Sequence, residues 1–170
     1  DRLVAELRGV LERADVLITI GGLGPTVDDL TRDAIAAAMD DTLVRNAGME
    51  AQLREFFASR GITWTESIAR QADVPTFGRM IENPNGTAPG LICEKNGKVA
   101  IAMPGPKGEF NPMANGPVRA YLETLQGGGV IHSRVLRIIG MGESHVEDRI
   151  RHLMDAANPT VAPYAPTEIG

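Results

Sequence analysis

The sequence is short of reactive side chains. Across 170 residues it holds one cysteine, three histidines and 4% aromatic residues. A lone cysteine excludes an internal disulfide. Cys93 also sits in an apolar run, Leu91 to Cys93, so a buried and inert thiol is expected rather than a nucleophile, with a cytoplasmic setting as the default. No cysteine pair offers a zinc site. His132, His145 and His152 all fall late in the chain, two of them seven apart on one predicted helix, where ligands three or four apart would be needed. No Ser/His/Asp or Cys/His constellation is visible. No apolar run approaches the roughly 20 residues that span a bilayer, so no membrane partner is expected. A net charge of −5 argues against a nucleic-acid surface, while 43% apolar and 23% charged residues are those of a globular protein.

What is present is concentrated in Ile18-Thr19-Ile20-Gly21-Gly22-Leu23-Gly24-Pro25-Thr26-Val27-Asp28-Asp29-Leu30-Thr31. An apolar strand from Val16 to Ile20 runs into three glycines, then two carboxylates, then an alanine-rich helix from Ala34 to Met39. Glycines at such a junction permit positive φ and close approach to the main chain, and the start of the following helix is a seat for an anion. Two carboxylates beside a phosphate raise the energy of both unless a cation intervenes, so the pattern reads as a phosphate site using a divalent metal. The plainer alternative makes one aspartate the helix N-cap. The spacing is not the dinucleotide fingerprint, and no Lys-Ser or Lys-Thr follows as a P-loop requires.

Leu3, Val4, Leu7, Val10 and Leu11 recur at helical spacing, predicting an amphipathic helix near 2–13. A further helix near Met49 to Ser59 is expected to bury Met49, Leu53, Phe56 and Phe57, with Gly61 at its C-terminal cap. The pattern weakens from Thr63 to Arg79 around a short helix at Glu66 to Gln71, with Trp64 read as packing. The loop Asn83 to Gly90 leads to a strand, Leu91 to Glu94. Asn96-Gly97 is a two-residue hairpin signal, and Val99 to Met103 returns into Pro104-Gly105-Pro106-Lys107-Gly108-Glu109. A helix near Pro117 to Leu125 follows. Alternating helices and strands imply a layered α/β domain with a mainly parallel sheet, where ligands sit in crevices at the carboxyl ends of strands. The loops at Gly21 and Pro104 are therefore expected to wall one pocket, with Asn85 to Gly90 as a third wall.

Gln126 to Gly129 reads as a linker, giving domains at 1–126 and 130–170. Beyond it, Arg134 to Ile139 alternates as a strand, and Gly140-Met141-Gly142-Glu143-Ser144 turns into a helix that places Val146, Ile150, Leu153 and Met154 inward. The chain opens without methionine and ends on Ile169-Gly170 at the approach to another strand, as a piece of a longer protein would.

Oxygen ligands remain for chemistry. Asp28 and Asp29 suit Mg²⁺, Mn²⁺ or Co²⁺, while Glu109 is either a general base, a second metal ligand, or the acidic residue of a helix N-terminus. Gly21, Gly22, Gly24 and Pro25 would form the phosphate turn. Thr26, Thr31 and Thr87 would donate to phosphate oxygens, Thr31 alternatively capping its helix. Asn85, Gly86, Pro104, Gly105 and Pro106 would close the pocket. Arg32 and Lys107 are read as solvated surface charges or, alternatively, as partners of an anionic substrate.

These motifs resemble the N-terminal domain of the competence/damage-inducible protein A (CinA) family, within the MoaB/MogA-like molybdopterin-binding superfamily. The resemblance is carried by Gly21 to Thr31, Asn83 to Gly90, and Met103 to Phe110. Gly140 to Ser144 and Asn158 to Ala162 resemble the opening of that family's small α+β KH-like domain. It implies a three-layer α/β domain, homo-oligomers, and metal-dependent hydrolysis of ADP-ribose or a related dinucleotide pyrophosphate. By position, Asp29 corresponds to the acid of the superfamily's Gly-Gly-x-Gly motif and Gly105 to the glycine of its Pro-Gly-x-Pro-like loop. Where the family reads Pro-Gly-Pro-Pro-Ser-Glu, this chain has Lys107-Gly108. The family's first strand and its Gly-Asp-Glu loop would lie upstream of Asp1. Two alternatives keep the pocket: molybdopterin binding or adenylylation, against which Leu23 weighs because many cofactor-synthesis relatives carry threonine there, and a nucleotide-binding module without turnover.

Overall fold

A computed structural model describes residues 2–125 and 131–164, which fall into two compact units, Asp1–Gly127 and Gly128–Gly170. The glycine-rich stretch 126–129 lies outside the described residues.

In the first unit, α1 (Arg2–Arg13) leads to β1 (Val16–Ile20) and α2 (Thr31–Ala38). Then come β2 (Leu43–Arg45), α3 (Ala47–Ala58), α4 (Glu66–Ala69) with a 3₁₀ turn at Arg70–Ala72, β3 (Asp73–Pro75) and β4 (Gly78–Ile81). The hairpin β5 (Gly90–Lys95) and β6 (Lys98–Met103) follows, turning on Asn96 and Gly97 at φ +51 and +75, the conformation for which Asn-Gly is selected. Helical backbone then runs from α5 (Lys107–Met113) through a π turn at Ala114–Val118 to α6 (Arg119–Thr124). Pro117 lies within that π turn, and its missing N–H leaves a gap in the helical ladder there.

The main sheet has the order β1-β6-β5-β4. Alternation along its strands sorts side chains onto two faces. Leu91, Cys93, Ala100 and Ala102 pack with Leu7 and Leu11 of α1 and with Ala34, Ile35 and Ala38 of α2. Ile92, Val99, Ile101 and Met103 face the other way, onto Met113 and Val118. Helices on both faces make the three layers. Among the described residues parallel pairing is confined to β1 with β6, whereas β6–β5 and β5–β4 are antiparallel, so the sheet is mixed rather than mainly parallel. The Asn-Gly hairpin is the reason, because a two-residue turn can join only antiparallel neighbours. A separate ribbon pairs β2 with β3. β1 lies at the sheet edge among the described residues, and Ile18 and Ile20 are 45% and 59% exposed where a buried strand was expected.

In the second unit, α7 (Glu143–Met154) forms where expected. The stretch Arg134 to Ile139 is not a strand: it pairs with nothing among the described residues and leaves Val135 and Ile139 exposed. A strand requires a partner for its backbone groups, and alternation alone does not supply one. No helix among the described residues is long and apolar enough to cross a membrane.

Asp41 ties the two sheets' connections together, accepting from the Thr42 and Phe77 amides at 2.7 and 3.0 Å and from the Thr76 hydroxyl. Burial raises its pKa, but these hydrogen bonds outweigh that and hold it below the ordinary carboxylate range. Asp41→Ala is expected to cost about 1–2 kcal/mol at pH 7 in urea unfolding. Because the folded pKa is the lower one, the bonus exists above the unfolded value near 4 and fades as pH falls through the folded value. The gap between wild type and variant should therefore narrow below about pH 4.

Candidate functional site

Three loops meet at one end of the main sheet because of its register. The parallel ladder of β1 and β6 ends at Ile20 opposite Met103, and the Gly21 amide extends it by donating to the Met103 carbonyl at 2.8 Å. The loops after β1 and β6 thus leave side by side, so close that a Cβ on Gly105 would lie 3.8 Å from the Gly21 Cα. Antiparallel pairing of Leu91 with Ala102 brings the loop before β5 to the same end. Between them is a cleft of about 530 Å³ lined by Gly21 to Pro25, Asp29, Gln71, Gly86 to Ala88, Pro104 to Pro106 and Glu109. That volume suits a small-molecule ligand.

The first wall is held from beneath. Gly21 and Gly22 have φ of +91° and +71°, the left-handed region that disfavours a side chain. Thr31 ties the turn to α2, its hydroxyl donating to the Gly21 carbonyl at 2.8 Å and its amide to the Gly22 carbonyl at 3.1 Å. Thr31 is therefore neither a cap nor a free phosphate donor. Neither aspartate caps α2, whose N-cap position is Leu30. Leu23 roots the turn in the core at 1% exposure. Its carbonyl accepts from Arg32 at 2.9 Å.

Arg32 is 2% exposed, which overturns its reading as a surface charge. Burial lowers the guanidinium's pKa, while Asp33 and Asp73 pull the other way. Lys107 is exposed and lies outside the cleft lining.

The acids gather around Thr26. The Asp29 carboxylate accepts from the Thr26 amide at 2.9 Å and from its hydroxyl at 2.6 Å, and Asp28 lies 2.6 Å from the same hydroxyl. A Cβ on Gly24 would stand 2.6 Å from an Asp29 oxygen, so the carboxylate folds across the turn where only glycine fits. Burial pushes the Asp29 pKa up, but hydrogen bonds from Thr26 and the Gly24 amide prevail and lower it, which keeps the group ionised. Thr26 is thus engaged with the acids, and neither it nor Asp28 lines the cleft. The amides of Gly22 and Leu23 make no hydrogen bond among the described residues.

The second wall is braced by Asn83, which donates to the Ala88 carbonyl at 2.9 Å and to the Glu109 carboxylate at 2.6 Å. Glu109 lies in the first turn of α5, the helix N-terminal position expected as one alternative, and it lines the cleft. A Cβ on Gly86 would run into its carboxylate. Asn85 is a strut, donating to the Gly108 carbonyl at 2.8 Å, and does not line the cleft. Thr87 donates to Gln71 at 3.1 Å. Gln71 is fully buried, and nothing in its sequence neighbourhood marks it as a cleft residue.

A three-layer α/β domain with a cleft at a glycine turn defines a class, and the sequence comparisons agree with it. Residues 1–124 match the family described as probable molybdopterin binding domain, and residues 133–168 match the damage-inducible protein CinA KH domain. A crystal structure of CinA from Thermoplasma acidophilum, described as of unknown function, superposes with a TM-score of 0.64 at 32% identity, covering 71% of this chain and 70% of that one. A CinA-like protein of Dictyoglomus turgidum is 42% identical over 166 residues, and a protein of Clostridium botulinum named for competence and damage induction is 44% identical over 166. The chain belongs to the CinA family. It covers 97% of its own length in these matches and 40% of theirs.

Arg32→Met should remove the donor to the Leu23 carbonyl while keeping the buried volume. A loss of about 1–3 kcal/mol is expected in denaturant unfolding, because a buried acceptor is left without a partner.

Proposed function

We propose that this protein is a cation-dependent pyrophosphatase acting on ADP-ribose or a related dinucleotide pyrophosphate. One observation carries the reading: the Thr26 hydroxyl lies 2.6 Å from an oxygen of each of Asp28 and Asp29. A hydroxyl has one proton, so it can donate to one of them, and a cation coordinated beside these oxygens would relieve the repulsion at the second close approach. Beside that cluster are the unengaged amides of Gly22 and Leu23, suited to phosphate oxygens. A diphosphate at this rim is favoured only with a divalent cation.

The donor set fits such an ion. Carboxylate and hydroxyl oxygens suit Mg²⁺ or Mn²⁺ and admit Co²⁺. Among the described residues no group of three or more His, Cys, Asp or Glu encloses a metal, so water and substrate oxygens would complete the coordination. Asp28 and Asp29 would hold the ion, which when bound would offset charge developing on the diphosphate. The Gly22 and Leu23 amides would orient the phosphates. Glu109, fixed by Asn83 and facing the cleft, would accept the proton of the attacking water as the bridging P–O bond breaks, leaving AMP and ribose 5-phosphate.

The family description favours a second reading, binding of a molybdopterin in the same cleft. A pterin fluorescence signal co-purifying with the protein would support it.

Full-length protein given ADP-ribose with Mg²⁺, Mn²⁺ or Co²⁺ should release AMP, measured by chromatography, and a chelator should stop it. Asp29→Ala should lower the rate by about 100-fold, roughly 2.7 kcal/mol of transition-state stabilisation lost when an ion is unseated. Equal rates from wild type and variant would reject the assignment.

A further inference from the structure

A second cavity lies across the Gly86-Thr87 ridge from the cleft, between α3 and the loop before β5. Its volume is about 140 Å³, close to the roughly 150 Å³ that holds one benzene ring in an engineered cavity. Met49, Leu53 and Phe56 give it an apolar wall from successive turns of α3. That wall is set in place from outside the cavity. Arg45 bridges Glu50 of α3 to Glu66 and Asp73 at 3.5, 2.7 and 2.5 Å, and Arg60 covers the Phe56 ring 3.6 Å from its centroid.

The polar side chains at the cavity are Gln52, Glu82, Asn83 and Thr87, of which Glu82 is the one carboxylate. Asn83 is already engaged with Ala88, Asn85 and Glu109. Gln52 and Glu82 are exposed and make no hydrogen bond among the described residues. A carboxylate at the mouth repels phosphate and accepts from an amino group. The two cavities therefore differ in chemistry while sharing Gly86 and Thr87: one has free main-chain amides suited to an anion, the other an apolar wall beside a carboxylate, suited to a neutral ring with a donor group.

We propose that the smaller cavity seats the base of the nucleotide, a flat heterocycle bearing an exocyclic amino group, while the diphosphate occupies the cleft. The ring would lie on Met49 and Phe56 with its amino group donated to Glu82, and the chain linking it to the phosphates would pass over the Gly86-Thr87 ridge that lines both cavities. The proposal rests on the pyrophosphate reading of the cleft. It adds base selectivity to that reading.

Calorimetry on the full-length protein with Mg²⁺ tests it, using ADP-ribose, its hypoxanthine counterpart and inorganic pyrophosphate as probes. Gln52→Trp, which would plug the cavity from its rim, should weaken ADP-ribose by about tenfold or more, the worth of one stacked base, and leave pyrophosphate unchanged. Wild type should prefer ADP-ribose over the hypoxanthine form, and Glu82→Ala should erase that preference. If both variants bind ADP-ribose as wild type does, or if Gln52→Trp loses both ligands equally and wild type shows no base preference, the subsite is wrong while the cleft reading stands. If wild type binds neither ADP-ribose nor pyrophosphate, the cleft reading fails first.

Discussion

The parallel pairing of β1 with β6 is the constraint on which the rest depends. Two strands running the same way end at the same place, and the Gly21 amide on the Met103 carbonyl carries that alignment one residue past the ladder. From this follow the contact of Gly21 with Gly105 and the common mouth of three loops. Reversing either strand would send the glycine turn and the proline loop to opposite ends of the sheet. The core exists to keep the pair in register, and the alternating faces of β6 are buried against helices above and below.

Around the mouth, side-chain hydrogen bonds do the work that regular secondary structure cannot. Thr31 and Arg32 hold carbonyls of the glycine turn from the helix side, so the turn's oxygens point into protein. With those acceptors occupied, and with the Gly21 amide on Met103 and the Gly24 amide on Asp29, the amides of Gly22 and Leu23 are the ones left without a partner among the described residues. Asn83 plays the matching part on the other wall, joining a carbonyl, an amide and a carboxylate through one side chain. Among the residues that line the cleft, the carboxylates are Asp29 on one wall and Glu109 on the other.

Much of this was legible in the residues because glycine, proline and Asn-Gly act locally. The helix at 2–13, the β1 turn, the β5–β6 hairpin and the convergence of the three loops all follow from short-range signals. Three-residue strands carry too little alternation to register: β3 falls within the weak pattern from Thr63 to Arg79, and β2 falls between two expected helices. Arg32 was misread for a different reason. It shares a helix face with Ile35, three residues on, yet charge alone suggests the opposite side, and only the position of the Leu23 carbonyl explains its burial. Gln71 was missed likewise, since its role is to back Thr87 across sixteen residues of chain. The roles given to Thr26 and Asn85 presumed free donors. In the folded chain their hydrogen-bonding groups have closer partners.

The burial of Cys93 has a practical consequence. The side chain is sealed between the sheet and its helices, with no measurable exposure, and desolvation lifts its thiol to a pKa of about 11. It is also the chain's sole sulfhydryl. The native fold is accordingly silent toward maleimides and alkylating dyes near neutral pH. A thiol introduced on an open position beside the cleft would take up label alone, so that fluorophores or spin probes could report ligand arrival without first engineering the natural cysteine away.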